Sequence, residues 1–159
     1  MEQVASLIQA MLAPGIMISA CGLLILGMNN KYSLVVNRIR VLNEEKRRYA
    51  KAADTKDFEY FDEIRLKSIS VQLNSLIVRL SFVKNAVVCY SVGVGCFVIT
   101  SIWIGIGMVV TKTELLNFGI ISIVFFVLGM TIVLAGITFA ARESIKGYEI
   151  VSFELKADE

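Results

Sequence analysis

Charged positions are spread very unevenly along the chain. Gln3–Asn30, Asn85–Thr111 and Leu115–Ala141 contain no Asp, Glu, Lys or Arg over 28, 27 and 27 residues. A bilayer core of ~30 Å needs ~20 apolar helical residues, so each stretch is long enough to cross one. Between the first two stretches polarity returns while the helical period continues. Ile25, Met28, Tyr32, Val35, Ile39 and Leu42 recur at alternating spacings of 3 and 4. Leu66, Ile69, Leu73, Leu76, Leu80, Val83, Val87, Tyr90 and Val94 do the same and run into the second stretch. Two such seams predict two packed helices. The reversal between them falls at residues 53–57 (ADTKD), where Asp54, Thr55 or Asp57 can cap the second helix. The arms, residues 29–52 and 57–84, have matching lengths of roughly 36 and 42 Å at ~1.5 Å per residue. Zipping of the arms to each other is the simpler expectation; packing against other subunits or a partner is the alternative.

The predicted fold is therefore an all-α integral membrane protein. It has three transmembrane helices, the first two extended into a cytoplasmic antiparallel helical hairpin. The segments are 1–13 (extracytoplasmic or interfacial), 14–30 (first span), 31–84 (hairpin), 85–111 (second span), 112–116 (external turn), 117–141 (third span) and 142–159 (cytoplasmic tail). Pro14 suits the first turn of a helix, which favours a span starting there over one continuous helix kinked at Pro14. Gly147 is placed to stop the third helix. Beyond it, Val151, Phe153 and Leu155 alternate with Ser152, Glu154 and Lys156 as on a short strand. Small residues recur every seven positions at Ala13, Ala20 and Gly27, and at Ser122, Gly129 and Gly136. Ala13, Ala20, Gly27, Gly129 and Gly136 are thus the expected packing positions, since small side chains let helices approach closely in lipid.

Composition agrees: 56% of residues are apolar and 19% charged, with a mean hydropathy of +0.69. That exceeds the roughly 45–50% apolar content of soluble domains and excludes a soluble globule, a disordered chain, a disulfide scaffold and a nucleic-acid module. Residues 31–84 hold 12 of the 16 basic residues, the turn holds Lys112, and the tail holds Arg142, Lys146 and Lys156. The positive-inside rule then puts the middle segment and tail in the cytoplasm and the N-terminus outside, in the cytoplasmic (inner) membrane. The first span lacks a basic n-region and reads as an uncleaved anchor.

Catalytic chemistry is not in evidence. There is no His, and Cys21, Cys89 and Cys96 all lie within spans, where they read as soft packing residues. No metal or other cofactor is expected. Gly93-Val-Gly95 and Gly105-Ile-Gly107 sit in a span and are packing glycines rather than phosphate loops. Asp62 and Glu63 are adjacent and point to different helix faces, so the chain is expected not to be an enzyme. No charged residue lies at bilayer depth, which argues against a pump or carrier. A passive pore is compatible with hydroxyl lining, and the candidates are Ser19, Thr100, Ser101, Ser122, Thr131 and Thr138. The ordinary alternative is that these hydroxyls bond to their own helix backbone. Lys46, Arg47, Arg48 and Lys51 form either a solvated tip or a contact for anionic lipid or a partner.

Two functional expectations follow. The first is a homo-oligomeric channel- or pore-like assembly with a helical cytoplasmic vestibule. The second is a non-conducting scaffold or adaptor whose hairpin binds a partner or anionic lipid. The partners implied are the bilayer, further copies of the chain and a cytoplasmic protein, with no nucleic acid.

Three features of the first span and the arm beyond it sit together: Pro14 early in the span, Asn29–Asn30 at its end, and Arg38-Ile-Arg40-Val-Leu42 beyond. With QLNSLIVRLSFVKNAV in the second arm, they resemble a family of small bacterial and archaeal membrane proteins of unknown function. The likeness covers most of residues 13–140. It implies three spans and no known activity.

Overall fold

The structure, a computed structural model, describes residues 2–52, 60–109 and 115–157, with side chains at 5, 8–51, 63–107 and 119–148. The described residues form three helices, α1 (Glu2–Ala52), α2 (Tyr60–Val109) and α3 (Leu115–Ala157). Each is long and apolar enough to cross a membrane, and the chain is a multi-pass membrane protein. The reversal at residues 53–57, with its capping candidates, and the turn residues 112–114 lie outside the described residues.

Two local expectations are corrected. α1 does not begin at Pro14 but runs through it. A proline inside a helix removes one hydrogen bond. Ending the helix among apolar residues would leave several backbone groups unpaired, which costs more where no water can replace the partners. Likewise α3 does not stop at Gly147, and residues 151–156 are helical rather than a strand. Extending an existing helix fixes one residue per added bond, whereas an alternating segment needs a neighbouring strand, and none occurs among the described residues.

The chain divides into two compact units. An apolar unit comprises residues 1–28 and 85–140; a polar unit comprises residues 29–84 and 141–159. In the apolar unit α2 and α3 meet at glycines. A Cβ added to Gly136 would lie 2.7 Å from the Tyr90 ring, and one on Gly129 would lie 2.9 Å from Phe97 and 3.0 Å from the Cys96 Cβ. Gly93 faces back from α2, where a Cβ would meet Val133. Phe97 and Phe126 stack obliquely beside these contacts, centroids 5.5 Å apart. In the polar unit α1 and α2 pack through Leu42, Ile69 and Leu73, fringed by Ile39, Tyr49 and Leu76. Arg65 bridges to Glu45 at 2.9 Å near one end of this pair. Rising numbers on α2 meet falling numbers on α1, so the pair is antiparallel.

Burial along α1 follows a single repeat: Pro14, Cys21, Met28, Val35 and Leu42 are its buried side chains among the described residues, one every seven. On α3 the repeat is Ser122, Gly129, Gly136 and Glu143, joined by Val133. Gly129 and Gly136 thus lie in close contact. Ala13, Ala20 and Gly27 are exposed instead, and nothing approaches within 4 Å of a Cβ placed on Gly27. The face α1 buries within the chain is the one a single residue further on.

Replacing Gly136 or Gly129 by Ala should lower the stability of the purified protein by about 1–3 kcal/mol, because the buried rings opposite cannot yield. Gly27→Ala should change it by less than ~0.5 kcal/mol. Unfolding in mixed detergent micelles provides the comparison, and an equal or reversed ranking would show that the glycine contacts do not limit stability.

Candidate functional site

Charge returns to each helix just past its charge-free stretch, at Lys31 on α1, Arg79 to Lys84 on α2, and Arg142 and Glu143 on α3. Within the polar unit, three of these residues converge. Glu143 has a side chain only 2% exposed. Lys31 Nζ donates to its Oε2 at 2.9 Å, and Arg79 Nη2 donates to its Oε1 at 2.8 Å. Lys31 also donates to Ser144 Oγ at 2.9 Å. A buried carboxylate is tolerated only when paired and hydrogen-bonded, and here both oxygens are engaged. Burial pushes the Glu143 carboxyl up, but the hydrogen bonds from Arg79 and Lys31 and the charges of both outweigh it and hold the group below its ordinary value.

Gly147 explains how α3 comes so near Arg79. It follows Glu143 by one helical turn, and a Cβ there would lie 2.8 Å from Arg79 Nη2. The glycine is therefore a point of close approach, not a helix stop. Lys146, on the same turn, sits 5.3 Å above the Phe82 ring. Arg79 Nε is buried without a hydrogen-bond partner among the described residues. The cluster joins one residue from each helix and holds two cations against one carboxylate.

A second polar feature lies further along α1. Glu44, Arg47, Arg48 and Lys51 line a shallow groove of about 280 Å³. Their spacing puts them on one helix face, and all four are exposed. Arg47, Arg48 and Lys51 form no ion pair among the described residues, whereas Glu45 is taken by Arg65. Lys46 falls off this face and is half-buried.

The hydroxyls considered for a pore do not share one environment. Thr100 and Ser122 are buried within the chain, Ser101 is half-buried, and Ser19, Thr131 and Thr138 are exposed. Thr100 donates to the Cys96 carbonyl at 2.9 Å, Ser101 to Phe97 at 3.1 Å and Thr131 to Val127 at 2.9 Å. Thr138 donates to Ala135 at 2.7 Å and Ser19 to Gly15 at 3.3 Å. These bonds satisfy the helix's own carbonyls. Among the described residues no group of three or more His, Cys, Asp or Glu could hold a metal, and the three cysteines are free.

The Glu143 cluster is not among the sites expected from the sequence, where Lys31 and Arg79 serve only to orient the chain. The signal is nonetheless there: Glu143 extends the Ser122, Gly129, Gly136 repeat by one more step of seven.

Glu143→Gln should destabilise the protein by about 1–3 kcal/mol, less than for a fully buried pair because Lys31 and part of Arg79 reach solvent. A carboxyl lowered in the folded state stabilises fully above its unfolded value near 4.5 and loses that contribution as pH falls through its folded value. Wild-type stability should therefore decline in that acid range while that of Glu143→Gln changes less. Parallel pH curves for the two proteins would exclude the carboxylate as the source.

A family model described as protein of unknown function (DUF2721) matches residues 11–152. No curated protein and no solved structure matches. With nearly the whole chain covered, including the residues of the Glu143 cluster, the protein belongs to the DUF2721 family of unknown function.

Proposed function

We propose that the chain is a non-enzymatic, non-conducting scaffold of the cytoplasmic membrane, with its N-terminus outside and its polar unit in the cytoplasm. In this reading the polar unit docks an acidic cytoplasmic protein. The observation that carries it is the α1 groove, where Arg47, Arg48 and Lys51 stand exposed on one face without ion-pair partners among the described residues. An acidic protein suits this face better than the bilayer surface. Lys51 lies 20 residues beyond Lys31 on α1, roughly 30 Å along the helix, and surface potentials fade over ~8 Å at physiological salt. The scaffold is favoured over the pore because five of the six hydroxyls bond to their own helix backbone and two of the six are buried within the chain.

The test joins two measurements. A photo-crosslinker at Arg48 in native membranes should yield one discrete protein adduct, abolished when Arg47, Arg48 and Lys51 are replaced by Glu at unchanged abundance. Liposomes containing the protein should pass ions no faster than empty ones. Label recovered only on lipid would remove the protein partner, and a protein-dependent conductance would reinstate the pore.

A further inference from the structure

Two further cations stand beside Glu143 on α3. Arg142 and Lys146 are both exposed and lie four residues apart, one turn along a single helix face. Neither has an ion-pair partner among the described residues. At helical pairing distance Arg142 has no acid. Lys146 has Glu143, whose two oxygens are taken by Lys31 and Arg79, and Glu149, whose side chain lies outside the described residues. Lys146 Nζ sits 5.3 Å above the Phe82 ring of α2. Val78, one turn before Phe82 on the same face of α2, is 40% exposed. All four residues belong to the polar unit. Two like charges are thus set over an apolar ledge. Like charges four apart on a helix repel each other, and an anion between them removes that repulsion.

We propose that Arg142 and Lys146 together bind the phosphate of an anionic phospholipid. The position of the pair selects this occupant. Arg142 is the first charged residue after the 27-residue charge-free stretch of α3, and Lys146 follows roughly 6 Å further along the helix. Both stand where a spanning helix leaves the hydrocarbon and meets the headgroups, within the ~8 Å over which a charged surface acts at physiological salt. Arginine's planar fork matches two phosphate oxygens, while the lysine ammonium acts as a point charge. A zwitterionic headgroup brings its own cation, which two neighbouring cations repel; an anionic headgroup does not. Phe82 and Val78 supply apolar contact that suits a lipid and is wasted on inorganic phosphate.

This reading rests on α3 crossing the bilayer. It involves none of the residues of the basic groove on α1, so failure of either proposal leaves the other standing.

Native mass spectrometry of the full chain, released from nanodiscs of equal phosphatidylglycerol and phosphatidylcholine content, tests it. Phosphatidylglycerol should stay bound at least tenfold more often than phosphatidylcholine. Arg142→Gln combined with Lys146→Gln should lower its retention at least tenfold. Lys67→Gln combined with Lys84→Gln removes the same charge from exposed positions on α2 and should lower it less than twofold. Should the α3 double variant fail to fold, Arg142→Gln alone decides, with at least a threefold loss expected. Equal retention of the two lipids, equal losses from the two charge-matched variants, or release of the lipid by millimolar inorganic phosphate would each overturn the proposal.

Discussion

Helices in lipid and helices in water are held together by different forces, and each described helix of this protein runs through both an apolar and a polar unit. Between helices in a bilayer the hydrophobic effect contributes little, so close contact rests on small residues. In water, burial of branched aliphatic side chains dominates. α1 meets both demands without altering its period. Its buried residues are Pro14, Cys21 and Met28 in the apolar unit and Val35 and Leu42 in the polar unit, one every seven residues. α3 does likewise, passing from Ser122, Gly129 and Gly136 to Glu143. Constant spacing carries the buried positions through both units; only the chemistry at each step changes.

Glu143 is the extreme case. Where the repeat would ordinarily place another small or aliphatic residue, it places a carboxylate and surrounds it with donors from the other two helices. A hydrophobic side chain at that step would pack just as tightly but would not discriminate among rotations of α3. A carboxylate with two fixed donors tolerates only one, and Gly147 one turn later admits the arginine that enforces it.

The fold is most legible in the sequence where a pattern repeats. Charge-free stretches single out three helices long and apolar enough to cross a membrane, and the alternation of 3 and 4 includes Leu42, Ile69 and Leu73, which form the core of the polar unit. Legibility is poorest where two neighbouring faces have similar composition. Ala13, Ala20 and Gly27 have the small side chains of a packing stripe, yet the chain buries Pro14, Cys21 and Met28 beside them. No single-residue property separates faces ~100° apart on one helix. Pro14, Gly147 and the alternation at residues 151–156 mislead for one shared reason: each is a local signal overridden by a helix already propagating through it.

The ion cluster also bears on how the chain is made. Glu143 follows Arg79 by 64 residues and Lys31 by 112. Both cations thus emerge from the ribosome and are threaded into place well before their carboxylate exists. Until α3 is synthesised they lack their carboxylate, and among the described residues no other ion pair joins α1 to α2 beside Lys31 and Arg79. Closure of the cluster therefore awaits α3, which ties α1 and α2 to one carboxylate.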